Sequence, residues 1–343
     1  VTFLVEKGET LSSRIEKGGS RFEGIKLLLC ENPLPPLEEA QRAAESELPF
    51  SNFYTEPYSA PLRRVLAQRM DVPERLIHLN AGSELILRQL FDRLGERVHL
   101  LTPTYPLFPE IAKEHTETRL LPENDFRFNL EELKIPEGTT LAVIVNPNNP
   151  SGMTFDMAPL PELLARYSQT FFLVDEAFIG MGGDSVAHLV PEFPNLLVTR
   201  TFSKTESLAG LRIGYAVLPE QLADDLNNHN DAYPLTRPSQ AAALATLQNE
   251  EKIRRRATML RAWTRQLSEE LRGLGVRTFP TEGYFFLADF APHDAETLST
   301  HLKERNILIR PLNDKRLGQG YMRITTSLPE DNARFLAALK EFL

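Results

Sequence analysis

Thr201-Phe-Ser-Lys-Thr-Glu-Ser-Leu-Ala-Gly-Leu-Arg212 decides how this chain is read. It follows the apolar run 196–200, which places it at the end of an expected strand. Thr201 and Ser203 precede Lys204, and Arg212 follows it. Nearby positive charge lowers a lysine's pKa and favours the free amine, the form that attacks a carbonyl. A lysine held among hydroxyls and an arginine therefore suits an amine that bonds a phosphate-bearing aldehyde. A Ser-Lys pair met alone reads more simply as a solvated turn lysine, so the neighbouring segments must decide.

Working outward, Leu173-Val-Asp-Glu-Ala-Phe178 puts Asp175 at the end of a second buried strand. An acid there can keep a pyridine nitrogen protonated, although alone it would read as a cap or loop acid. Val145-Asn-Pro-Asn-Asn-Pro-Ser-Gly152 follows a third strand and is a rigid turn rich in amide donors. Gly82-Ser83-Glu84 opens a helix whose free amides can bind phosphate, or is an ordinary helix start. Thr104-Tyr105-Pro106 offers a ring for stacking, or a core tyrosine. The runs 76–79, 98–102, 141–145, 171–174, 196–200 and 213–217 alternate with helical or loop segments such as 61–70 and 84–94. That alternation predicts an α/β fold with a mostly parallel sheet, whose strand ends are where ligands bind. Beyond residue 238 the pattern changes: a long helical stretch over 239–274, a turn at 281–283, a helix at 294–305, strands at 307–311 and 321–325, and a last helix at 330–342.

The bulk numbers exclude several classes. A chain of 343 residues has room for about two domains. Its net charge of −9 argues against broad nucleic-acid or anionic-membrane binding. No apolar run approaches the roughly 18 residues that span a bilayer, and no signal peptide is visible in VTFLVEKGETLSS. One cysteine, Cys30, forms no intrachain disulfide and fits a reducing, cytoplasmic setting. The seven histidines are scattered, so no metal site is indicated. Gly180-Met-Gly-Gly183 lacks dinucleotide-binding spacing, and Arg254-Arg-Arg256 reads as a solvated charge run.

In this order the segments resemble the class I/II aminotransferases, the fold-type I enzymes of pyridoxal 5'-phosphate. Within them they are most similar to the subgroup of histidinol-phosphate aminotransferase and threonine-phosphate decarboxylase. The resemblance runs from Glu31-Asn-Pro33 to the C-terminus. It implies a large domain over 46–240, with a mostly parallel seven-stranded sheet flanked by helices. It also implies a smaller α+β domain made from 1–45 and 241–343. Lys204 would carry the cofactor as a Schiff base and move the substrate's Cα proton. Asp175 would pair with the pyridinium nitrogen, Tyr105 would stack on the ring, and Asn149 would bond the ring hydroxyl and border the substrate. Gly82, Ser83, Glu84, Thr201, Ser203 and Arg212 would surround the phosphate. Tyr54 would reach the phosphate from a second subunit, making a homodimer. Arg323, assisted by Arg310, would clamp the substrate carboxylate.

The departures from the family pattern cluster around the substrate. Phe178 of the cofactor shell stands where many members have a tyrosine, and threonine-phosphate decarboxylases have Phe. Leu34 replaces a substrate-contacting tyrosine, Tyr233-Pro-Leu-Thr-Arg-Pro replaces a Pro-aromatic-Asn segment, and Tyr284 replaces an asparagine. Arg237 is either a new anion contact or a surface arginine. The resemblance implies amino transfer between an amino acid and a 2-oxo acid. Decarboxylation of a phosphorylated amino acid is the alternative, and a non-catalytic cofactor-binding protein is a third reading.

Overall fold

The computed structural model describes residues 24–312, 314 and 316–343. The reading of residues 1–13 as carrying no leader, and the first part of the expected smaller domain, lie outside the described residues.

The strands are β1 (Ile25–Lys26), β2 (Ile77–Asn80), β3 (Arg97–Thr102), β4 (Glu114–Arg119), β5 (Leu141–Val145), β6 (Phe171–Asp175), β7 (Leu196–Thr201), β8 (Gly214–Val217), β9 (Arg277–Thr278), β10 (Phe285–Asp289), β11 (Ile307–Leu308), β12 (Arg310–Pro311) and β13 (Tyr321–Thr325). The helices are α1 (Glu38–Glu47), α2 (Ala60–Met70), α3 (Ser83–Leu94), α4 (Leu107–Ile111), α5 (Leu160–Arg166), α6 (Glu220–Asn228), α7 (Arg237–Gln248), α8 (Glu250–Gly273), α9 (Ala295–Glu304) and α10 (Pro329–Lys340).

Seven strands form one sheet in the order β2-β8-β7-β6-β5-β3-β4. The pairs from β7 through β4 are parallel, and β8 runs against both its neighbours. Both faces are covered. Along β5, Leu141, Val143 and Val145 pack into one apolar cluster, while Ala142 and Ile144 pack into another. This alternation explains why the central strands read as unbroken apolar runs. A second sheet, β12-β13-β10-β9, packs its core against α8, α9 and α10.

Four details differ from the sequence expectation. The edge strand β4, Glu-His-Thr-Glu-Thr-Arg, has no buried residue and hence no hydrophobic signature. The stretch 239–274 is two helices, broken at Asn249, whose carbonyl accepts the amides of Lys252 and Ile253 to start α8. The expected strand 307–311 changes partners at Ile309: β11 pairs with β1, and β12 with β13. The triplet Arg254–Arg256 is only partly a solvated run. Arg254 and Arg255 pair with Glu250 and Glu251 on the surface, but the Arg256 guanidinium donates to the carbonyl of Pro35.

Among the described residues no helix is long and apolar enough to cross a membrane, and no group of three His, Cys, Asp or Glu could hold a metal ion.

The contact between β8 and the start of α3 sets the site's geometry. A Cβ on Gly214 would lie 2.1 Å from the Ser83 amide nitrogen and 2.3 Å from the Gly82 carbonyl carbon. Gly214→Ala should therefore push the helix start away and destabilise the protein by about 1–3 kcal/mol. A thermal melt beside the parent protein checks this, and an unchanged midpoint would contradict the contact.

Candidate active site

The floor of the site is Asp175, the last residue of β6 and only 4% exposed. Its register partner on β7 is Thr199, whose hydroxyl donates to Asp175 Oδ1 at 3.1 Å. Burial pushes the carboxyl up to about 6, against the pull of the Thr199 hydroxyl, the Ala177 amide and Lys204. The adjacent Glu176 is also buried but takes its own partners: the Val186 amide at 2.7 Å, the Ser185 hydroxyl at 2.9 Å and Arg200 Nε at 2.7 Å. Glu176 is structural, and Asp175 is the acid that lacks a cation at hydrogen-bonding distance.

At one end of this floor lies a cluster of donors. Gly82 precedes α3 with φ +91, and a Cβ there would fall 2.3 Å from Arg212 Nη2. Only glycine lets the guanidinium and the helix start come this close. The Thr201 hydroxyl donates to Ser203 Oγ at 2.9 Å, and the Ser203 amide returns a bond to Thr201 Oγ1 at 3.0 Å. Glu84 lies in the first turn of α3, but its carboxylate is taken by Arg88 at 2.9 Å, so the helix amides and dipole are what face an anion.

Lys204 enters from the loop after β7. Its Nζ donates to the carbonyls of Leu29 at 3.0 Å and Cys30 at 3.3 Å, and lies 5.4 Å from the centre of the Phe178 ring. Burial lowers its pKa, against the pull of Cys30 and Glu31, and neighbouring Arg323 and Arg212 push the same way as burial. The loop is held by Asn32, whose Nδ2 donates to the carbonyls of Lys204 at 3.0 Å and Thr205 at 3.2 Å.

Arg323, 3% exposed on β13, donates through Nη1 to Asn149 Oδ1 at 2.8 Å and through Nη2 to the carbonyl of Leu28. Its buried Nε has no hydrogen-bond partner. Arg310 is its cross-strand partner on β12. Tyr105 packs edge-on to Phe108 at 5.7 Å, and burial pushes its phenol up to about 12. Tyr284 is fully buried and donates its hydroxyl to the Cys30 carbonyl at 2.6 Å.

These contacts link Lys204 with Phe178, Arg323 with Asn149, Gly82 with Arg212 and Thr201 with Ser203. Tyr54 lies on the outer surface, 79% exposed and stacked on Tyr233 at 4.4 Å between ring centres. Beside it Arg237 pairs with Glu47 and donates to the Tyr54 carbonyl at 3.1 Å. Sequence reasoning missed Asn32, Thr199 and the carbonyls of Leu28, Leu29 and Cys30. Thr199 was within reach as the strand neighbour of Asp175. The carbonyls were not, because a main-chain acceptor carries no side-chain signature.

The sequence profile described as "Aminotransferase class I and II" matches residues 25–339. Histidinol-phosphate aminotransferase 1 of Pseudomonas aeruginosa is 31% identical over 324 residues, covering 92% of each chain. Among solved structures, histidinol-phosphate aminotransferase from Sinorhizobium meliloti, in complex with pyridoxal 5'-phosphate, superposes with a TM-score of 0.83 at 21% identity, covering 97% of this chain and 94% of that one. L-threonine-O-3-phosphate decarboxylase from Porphyromonas gingivalis does so with 0.82 at 22%, covering 93% and 99%. At these identities the two structures establish a shared fold.

The raised Asp175 carboxyl predicts how the cofactor-free protein responds to pH. Its folded value of about 6 lies above the ordinary 3.8, so the folded state holds the proton more tightly than the unfolded one. Keeping the ionised form buried then costs stability in full above pH 6, and the cost vanishes as pH falls below 3.8. Asp175→Asn should stabilise the cofactor-free protein by on the order of 2–3 kcal/mol at pH 7.5 and leave it unchanged near pH 3.5. Urea denaturation at the two pH values measures the gap; a gap that does not vary with pH would contradict the assignment.

Proposed function

Because the chain belongs to the class I and II aminotransferases, which work with pyridoxal 5'-phosphate, we propose that it moves the amino group of an amino acid to a 2-oxo acid at Lys204. The observation that carries this is the meeting of Lys204 and Arg323 on one short stretch, Leu28–Cys30. An amine and a guanidinium brought this close suit the amino and carboxylate ends of one α-amino acid.

The donor set fits the cofactor. A buried carboxyl without a cation suits a ring nitrogen that must keep its proton, which is the role of Asp175. The cradle of Gly82, Ser83, Glu84, Thr201, Ser203 and Arg212 suits a phosphate. Tyr105 would cover the ring, and Asn149 would hold its hydroxyl. Phe178 would border the same ring and supplies no second hydroxyl donor.

When bound, the cofactor supplies an aldehyde carbon for the amino group and a ring that draws electrons from the amino acid's Cα. Everything else falls to the chain. Arg323 trades its bond to the Leu28 carbonyl for the substrate carboxylate, and its unpaired Nε gains an acceptor. Arg310, across the strand pair, adds charge for a second anionic group. Lys204 Nζ takes the proton from Cα and holds it as an ammonium. We read 46–240 as the cofactor-holding domain and 1–45 with 241–343 as the smaller one. Leu48, Phe50, Phe53, Tyr54 and Tyr58 are exposed together, which suits a homodimer in which Tyr54 reaches a second copy's phosphate. A histidinol-phosphate-like amine is the donor class the relatives favour, and the cytoplasm is the setting.

Mixing the loaded protein with single amino donors, histidinol phosphate and glutamate among them, should convert its visible absorbance to that of pyridoxamine phosphate and yield an oxo product. Carbon dioxide released without such a product would contradict amino transfer and favour decarboxylation. Arg323→Gln should lower kcat/KM for glutamate by roughly a hundredfold, the cost of leaving a carboxylate without its charged partner. Unchanged kinetics in that variant would remove Arg323 from the substrate site.

A further inference from the structure

We infer that the carbonyls of Leu29 and Cys30 form a docking cradle for the free Lys204 amine, and that Tyr284 is the positioning residue that aims this cradle. The inference rests on Lys204 being the lysine that carries the cofactor.

The chemistry of the acceptors comes first. A neutral amine has two hydrogens, and the two carbonyls, at 3.0 and 3.3 Å, accept both. The lone pair is then left for a proton. Main-chain carbonyls do not titrate, so they orient the amine without competing for that proton. A carboxylate in the same place would favour the ammonium and spoil the base. The ring of Phe178, 5.4 Å from Nζ, closes a third side with a face that does not titrate.

The backbone of Cys30 is the second observation. It lies at φ +49, in the left-handed region that non-glycine residues seldom occupy. Such a conformation persists where the surroundings over-determine it, and functional sites are where that happens. Here two donors hold it. The Tyr284 hydroxyl lies 2.6 Å from the Cys30 carbonyl, and the Thr325 hydroxyl 3.6 Å from the Cys30 thiol.

Tyr284 is itself fixed. It is fully buried, its carbonyl accepts the Thr326 amide at 2.8 Å, and its ring meets Phe178 edge-on at 6.0 Å. One tyrosine therefore sets the carbonyl above the amine and packs the ring beside it. Burial raises its phenol well above the ordinary value, so it stays a donor throughout the working range. Core packing alone would have been met by phenylalanine; the hydroxyl is what the cradle uses.

Tyr284→Phe removes that hydroxyl and keeps the shape. In the full-length, cofactor-loaded protein, kcat should fall about tenfold with KM little changed, because the base is misplaced rather than lost. The isotope effect from an α-deuterated donor should rise as proton transfer becomes limiting. Cys30, the chain's one cysteine, should react faster with a thiol reagent in both the loaded and the cofactor-free protein, a reading independent of turnover. Cys30→Val, whose branched side chain resists a left-handed backbone, should reproduce the kcat loss and the isotope effect with Tyr284 intact. Parent-like kcat and isotope effect in Tyr284→Phe would overturn the proposal. So would a lower melting temperature with an unchanged isotope effect, which would make Tyr284 a packing residue alone. If the parent protein takes up no cofactor at Lys204, the reading of the site fails first, and that is seen before any variant is compared.

Discussion

A carboxylate buried without a cation is costly, and Asp175 is held in that condition at the end of β6. One hydroxyl and one amide do not balance it. The sheet fixes its position by registering it against Thr199, and the same register sends Glu176 to a separate set of partners. The protein therefore carries an acid that a ligand with a positive nitrogen would stabilise. The donor cluster around Gly82 and Arg212 asks for the opposite charge, so the two ends of the site together define a ligand that is cationic at one end and anionic at the other. Both ends come from the ends of strands or the starts of helices, where backbone geometry rather than side-chain flexibility sets position.

The segment 28–35 plays the complementary part. It has little regular structure, yet it gathers bonds from Arg323, Lys204, Tyr284 and Arg256. Asn32 returns two bonds to the lysine loop. The acceptors of these four side chains are all main-chain carbonyls, weaker than a carboxylate and easily exchanged for one. In the proposed reaction, substrate would displace the Leu28 carbonyl from Arg323 without breaking an ion pair.

How much of this could be read from the residues depended on which atoms carry the information. The central strands were legible because sheets covered on both faces give continuous apolar runs. The lysine loop, Asp175 and the Asn149 turn were legible because each follows such a run. Strand β4 was not, since an edge strand with polar residues on both faces has no period-two pattern. Nor was the reversal of β8, because the hydrophobic pattern of a strand is the same in either direction. The partner change at Ile309 is a tertiary choice between two sheets that a five-residue apolar segment does not encode. Within the site, Tyr284 was legible as a departure from the family pattern. Its work on the Cys30 carbonyl became visible only in three dimensions.

The most direct test of the account is chemical. Purified protein is incubated with pyridoxal 5'-phosphate, reduced with borohydride, digested and mapped by mass spectrometry. A visible absorbance is expected before reduction, its loss afterwards, and a phosphopyridoxyl group fixed on the peptide that contains Lys204. A protein that stays colourless, or an adduct spread over surface lysines with none on this peptide, would contradict it.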